Sequence, residues 1–145
     1  MALIPKTRGA QEVQCAEFTW TFGDTVLDTT GAADALTTVA AHVADIISLP
    51  VNAIVLGGEV ITDTTFTGPT AVNVKIGDSG SDNRYLGTTD KITAGRTALV
   101  PTGYVNTGGL DLRLTLTPTV AAVTAGKITV RVEFIIRGRV CHNLV

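Results

Sequence analysis

The chain has 145 residues, a net charge of −2 and 17% charged side chains. That balance, with no basic stripe or acidic tail, argues against nucleic acid and anionic membranes as partners and suits one domain with one core. Hydrophobic residues make up 45% of the chain but aromatics only 5%; with about two dozen threonines, well above ordinary usage, the profile is aliphatic and β-rich.

Residues 1–10 hold Pro5, Lys6, Arg8 and Gly9 and no periodicity. They read as an extended N-terminal arm rather than a secretory leader, because Pro, Lys and Arg interrupt the place of an apolar segment. The domain is expected over 11–136. From Gln11 the pattern becomes alternating: Ala16, Phe18, Trp20 and Phe22 face one way, and Cys15, Glu17, Thr19 and Thr21 the other. Gly23-Asp24 ends that strand. The two cysteines, Cys15 and Cys141, have no CxxC partner spacing, which argues against a zinc site and fits free thiols in a cytosolically made chain.

Residues 32–49 carry a mixed signal. Leu36, Val39, Ala40, Val43 and Ile47 fit one helical face, yet Val43, Ile46 and Ile47 are β-branched and Pro50 stops the run. The reading is a short helix or loop near 32–40, then a strand near 42–49. His42, Asp45, Pro50 and Asn52 break the most apolar window, so it is too interrupted to span a membrane. AIVLGGEVITDTTF (53–66) is a strand with Gly57-Gly58 marking a bulge. AVNVKIG (71–77) alternates with Val72, Val74 and Ile76 inward. GDSGSDN (77–83) is expected to close that strand and open a long polar surface loop reaching Ala94, followed by a short strand at 97–100.

Two clear alternating runs come last. Leu110, Leu112, Leu114 and Leu116 alternate with polar residues. Ile128, Val130, Val132, Phe134 and Ile136 alternate with Lys127, Thr129, Arg131, Glu133 and Ile135. They predict an antiparallel pair with one face buried. About eight strands with turn signals between them predict an all-β, single-domain antiparallel β-sandwich or jelly roll. The C-terminal tail is 137–145, with Arg137 and Arg139 followed by apolar residues.

Two fragments invite a catalytic reading. Gly77-Asp78-Ser79-Gly80 and Ala40-Ala41-His42 look like a serine-protease nucleophile turn and general base. The stretch between them is too short to complete one barrel and begin another, and neither Asp45 nor Asp63 lies in an apolar setting that would orient the imidazole. The reading is no catalytic residue. Asp78, Ser79, Asp82 and Asn83 are hard oxygen donors, but their spacing is not that of an EF-hand; a different calcium loop stays open beside a plain polar turn. No phosphate-binding glycine motif precedes a helix, so no cofactor is expected. Arg84-Tyr85 reads either as an interface anchor or as a tyrosine packed at the top of the core. Leu3, Ile4, Val140, Leu144 and Val145 favour docking of both termini on a larger assembly.

The runs LPVNAIVLGGEVITDTTFTG (49–68), VKIGDSGSDNRYLGTTD (74–90) and AGRTALVPTG (94–103), with the leucine and valine strands, resemble small decoration or cement proteins of tailed phages. The resemblance covers residues 42–136. It implies a jelly-roll-like block on the outer capsid surface that binds the major capsid protein lattice and steadies the head against packaged DNA. It implies no catalysis, a homotrimer or homodimer, and no direct contact with nucleic acid or membrane. The partner-binding residues expected are Leu3, Ile4, Pro5, Arg8, Asp82, Arg84, Tyr85, Arg137 and Arg139. The alternative is a head-fibre or tail-associated sandwich that recognises a host glycan.

Overall fold

A computed structural model describes residues 12–138. Within them the chain forms eleven strands and no helix. Strands β1 (Gln14–Thr21), β11 (Ala125–Ile136), β5 (Ala53–Thr67) and β8 (Gly95–Ala98) make one sheet in that order, and β9 (Val105–Asn106) adds to β5. The second sheet runs β4 (His42–Ile47), β10 (Leu112–Thr119), β6 (Ala71–Asp78), β7 (Ser81–Asp90). A small hairpin of β2 (Val26–Leu27) and β3 (Ala33–Asp34) stands beside β4. Every pairing is antiparallel.

The core lies between the two larger sheets. Alternation puts Val72, Val74 and Ile76 of β6, Leu112, Leu114 and Leu116 of β10, and Ile128, Val130 and Val132 of β11 in full burial. Each such side chain stabilises the fold by about 1.5–3 kcal/mol relative to exposure. Trp20 of β1 and Phe66 of β5 supply the large aromatic volume. The small number of aromatics is therefore concentrated where the two sheets need thick side chains.

On one flank the sheets are stitched together by the main chain. Phe66 N–H donates to Ile92 C=O, Lys91 N–H to Val72 C=O, and Val100 N–H to Tyr85 C=O. The β7–β8 connection thus passes from one sheet to the other without leaving its polar groups bare.

One expectation is decided and another corrected. Of the short helix or loop expected near 32–40, no helix forms. The segment holds β3 and a series of bends, with Leu36 buried and Val39 exposed, so the helical face is not used. The preceding turn is held to β4 through Thr29 N–H to Val43 C=O, Ala33–Asp34 pairs with Val26–Leu27, and the β-branched residues that follow already belong to β4. The long loop after Gly77 is also absent. Asp78 and Ser81 pair across a tight turn, and β7 continues to Asp90. This strand hides because it is polar: SDNRYLGTTD buries only Tyr85 and Leu86.

The bulge expected from Gly57-Gly58 falls just before them: Glu133 faces Gly57 and Phe134 faces Val55, which leaves Leu56 as the extra residue, while Gly58 stays in register opposite Val132. Gly58 has φ +142°, and a β-carbon there would stand 2.2 Å from the Arg131 carbonyl oxygen. Only glycine lets the two strands approach so closely. The expected arm (1–10), Leu3, Ile4, Pro5, Arg8, Arg139 and Cys141 lie outside the described residues.

Candidate functional site

The suspected nucleophile and base are held apart. His42 of β4 pairs with Leu116 of β10, which pairs with Val74 of β6. Ser79 lies five residues beyond Val74, about 16 Å along the strand and two strands away. His42 has its own surroundings: Nδ1 is 2.7 Å from Asp34 Oδ1, Nε2 is 3.2 Å from the Thr38 carbonyl oxygen, and the ring is 2% exposed. Its carboxylate partner is Asp34, eight residues upstream on β3, rather than Asp45 or Asp63. Asp45 pairs with Arg113 at 2.7 Å, and Asp63 accepts the Thr129 hydroxyl.

The turn GDSGSDN is organised by Asp78. This residue continues the inward parity of Val72, Val74 and Ile76, so the strand ends with a carboxylate at the rim of the core, 3% exposed. Its Oδ1 accepts the backbone N–H groups of Gly80 and Ser81 at 2.8 and 2.9 Å, an Asx-type turn. Arg84 donates to it with Nε on Oδ2 and Nη2 on Oδ1. Burial pushes the Asp78 carboxyl up, but the bonds from Arg84, Gly80 and Ser81 outweigh that and hold it below its ordinary value. Gly77 is required because a β-carbon there would stand 2.0 Å from Ser81 O.

Arg84 is in turn covered by Tyr104, its Cζ 3.6 Å from the ring centroid. The result is a rigid stack of Asp78, Arg84 and Tyr104 at one end of the sandwich. Next to it Asn106 fixes the neighbouring loop, its Nδ2 on Leu110 O at 2.7 Å and its Oδ1 receiving Leu110 N–H at 2.8 Å. Asp82 is exposed and paired with Lys75 at 2.9 Å. Tyr85 packs into the core instead of projecting outward, and burial pushes its phenol up to about 12. Arg137 is exposed, with its N–H bonded to Asn52 C=O. The structure thus brings Arg84 together with Asp78 and Tyr104, while Asp82 and Arg137 stand elsewhere on the surface.

The oxygen donors of the turn do not converge. Asp78 is neutralised by Arg84, Ser81 Oγ donates to Asn83 Oδ1, and Asp82 turns to Lys75. Among the described residues no three His, Cys, Asp or Glu side chains form a metal-ligand group.

Sequence reasoning missed two further features. Lys91 is buried, with Nζ on Gly95 O at 3.3 Å and Thr97 Oγ1 at 3.1 Å, and burial lowers its pKa. On the outer face of the larger sheet, Glu17, Arg131 and Glu59 are register partners across β1, β11 and β5. Arg131 bonds Glu17 at 2.9 Å and Glu59 at 3.2 Å, and Arg96 of β8 reaches Glu59 at 3.4 Å. The outward positions of each strand are legible from alternation, but their lateral alignment depends on register. Within this row two carboxylates and two guanidinium groups balance one another, so it presents paired rather than reactive charge.

The arrangement is that of an antiparallel two-sheet β-sandwich whose polar clusters are self-satisfied. The same fold occurs in chains of solved phage capsids. A chain of the cyanophage Pam1 capsid asymmetric unit is 24% identical, with TM-score 0.62 over 94% of this chain and 92% of that one. A chain of the acidic stable capsid of Helicobacter pylori bacteriophage KHP30 is 17% identical, with TM-score 0.58 over 89% and 92%. A chain of the capsid of Ralstonia phage GP4 is 16% identical, with TM-score 0.53 over 96% and 92%. At these identities the likeness is one of fold. No protein-family model matches the sequence, and no curated protein sequence matches it.

Proposed function

We infer that the chain is a structural virion protein of a bacteriophage, a cement protein bound to the outer surface of the major capsid protein lattice. The observation that carries this reading is the near full-length match to chains of three phage capsids, the Pam1 chain covered over 92% of its length. The physical character of the molecule agrees. A sandwich with a filled core and tied turns loses little conformational entropy on docking, and repetition over a lattice turns weak contacts into avidity.

In this reading the chain bridges neighbouring capsid subunits and resists the outward pressure of DNA. Leu3, Ile4, Pro5, Arg8 and Arg139 supply docking contacts from the two terminal segments. Asp82, Arg84 and Arg137 supply polar contacts from the body, with Arg84 presented in a fixed pose by Asp78 and Tyr104. No catalytic group takes part.

Copy number in purified particles tests the proposal. Quantitative mass spectrometry should find hundreds of copies per head. A handful would instead indicate a fibre or tail component that recognises a host glycan, and absence from particles would end the virion reading.

A further inference from the structure

The larger sheet ends on one side at β1, and among the described residues no strand pairs with its outer edge. The register of β1 on β11 is unbroken from Gln14↔Phe134 to Thr21↔Lys127, and Phe22 N–H donates to Gly126 C=O one pair further on. In an antiparallel ladder a strand turns its N–H and C=O groups to a given neighbour at alternate residues. The even-numbered residues therefore bond β11, and Cys15, Glu17 and Thr19 aim their N–H and C=O groups away from the sheet. Among the described residues those groups have no partner. Thr21 N–H is capped by Asp24 Oδ2 at 3.0 Å.

The other edges differ. Val43 of β4 accepts Thr29 N–H, β7 is interrupted by register shifts against β6 and its Tyr85 accepts Val100 N–H, and β8 has only four residues. Edge strands of monomeric proteins are commonly guarded by charged side chains, above all Lys, by Pro, a bulge or an inward charge. The β1 sequence QCAEFTWT has no Lys, Pro, bulge or inward charge, and its one charged residue, Glu17, is paired with Arg131. Its inward residues are Ala16, Phe18 and Trp20; Trp20 is fully buried, whereas Ala16 and Phe18 are only half-buried at the lip of the sandwich.

We propose that this edge pairs antiparallel with the same edge of a second copy, joining two larger sheets into one continuous sheet. The pairing must bring odd-numbered residues opposite odd-numbered ones. With Glu17 on the two-fold axis, like carboxylates would stand opposite each other, which is unfavourable. With Phe18 on the axis, Glu17 stands opposite the partner's Thr19, and each exchanges both main-chain hydrogen bonds with the other. The two Phe18 rings then face one another and close the lip with an aromatic pair.

The edge is complementary to itself in charge, because Glu17 is already bound by Arg131. In this register Gln14 stands opposite the partner's Phe22, so the pairing takes in the whole length of β1 on both copies. Phe22 is 38% exposed at that point and gains cover. The interface is a property of this chain alone and stands whether or not the chain is found in virions.

Sedimentation equilibrium of the full chain in reducing buffer tests it. The wild type should be dimeric. Glu17→Pro removes an outward N–H but no bond to β11, so it should raise the dimer Kd about tenfold or more with an unchanged β-type circular dichroism spectrum. Glu17→Ala keeps the N–H and should keep the dimer. Phe18→Cys in a chain with Cys15→Ser and Cys141→Ser should oxidise to a disulfide-linked dimer, since a non-hydrogen-bonded pair sets its Cα atoms about 4.5 Å apart; this decides the matter if Glu17→Pro fails to fold. A monomeric wild type, a Glu17→Pro dimer as tight as wild type, or no Phe18→Cys cross-link would overturn the proposal. So would a dimer dispersed by Leu3→Asp/Ile4→Asp but not by Glu17→Pro, which would assign the edge to the N-terminal segment.

Discussion

Trp20 and His42 meet edge to face across the sandwich, ring centroids 6.1 Å apart and planes at 89°. Trp20 belongs to the larger sheet and His42 to the smaller one. Trp20 also donates from Nε1 to Asp24 O at 3.1 Å, and His42 is bonded at both ring nitrogens, so neither ring can turn without losing a hydrogen bond. The pair fixes the two sheets at the side opposite the β7–β8 crossing. It gives the residue that resembled a catalytic base a structural part.

His42→Ala should therefore destabilise the fold by about 2–4 kcal/mol, because it leaves Asp34 and the Thr38 carbonyl without their partner as well as a gap beside Trp20. Urea denaturation followed by Trp20 fluorescence reads this directly. A change within about 0.5 kcal/mol would show that the contact contributes nothing.

Asp78→Asn should cost about 1–3 kcal/mol at neutral pH, since Arg84 would keep its charge at the rim of the core without a carboxylate. The pH dependence has a definite sign. Asp78 holds its proton more weakly when folded than the ordinary 3.8. Its contribution is complete above that value and is lost as pH falls through the lower folded value. Acid unfolding of the Asn variant should be correspondingly shallower, measured by circular dichroism at fixed urea.

Tyr85 gives the alkaline counterpart. Its folded phenol is raised from 10.0 to about 12. That contribution is present below pH 10 and is lost as pH rises toward 12. Absorbance near the phenolate band should show delayed ionisation of one tyrosine, accompanied by unfolding. Tyr85→Phe should remove the delayed component, and a Tyr85 that titrates freely near 10 would contradict its burial.

Adjacent glycines make a paired test. Gly58→Ala should cost about 2 kcal/mol or more, because of its positive φ and the Arg131 carbonyl in the way. Gly57→Ala, where a β-carbon would meet nothing within 4 Å, should stay within about 0.5 kcal/mol of wild type. Thermal midpoints of the two variants check it. Equal effects would mean that the close approach of β11 to Gly58 is not the source of the constraint.

Much of the sandwich is legible in the sequence because alternation reports one buried face. The runs that became β1, β6, β10 and β11 carry that signal, and the bulge beside Gly57-Gly58 announces itself by composition. The remainder is set by contacts distant in sequence. β7 is polar along most of its length and is held by β6 and by the Tyr85–Val100 bond, so its own residues give no periodicity. Leu36 and Val39 suggested a helical face, but tertiary packing buries one and exposes the other. The His42–Asp34 pair depends on a two-residue hairpin with no sequence rhythm, and the Asp78–Arg84–Tyr104 stack joins β6 and β7 to a loop twenty residues later. Residue types were visible there; their convergence was not.

Cryo-electron microscopy of the intact particle would show the bound protein itself. This sandwich should stand as a separate density on the outside of the head, repeated at equivalent lattice positions and touching more than one major capsid subunit. Density confined to the tail or a fibre, or a head lattice with no such density in particles that carry the gene product, would rule out the cement role.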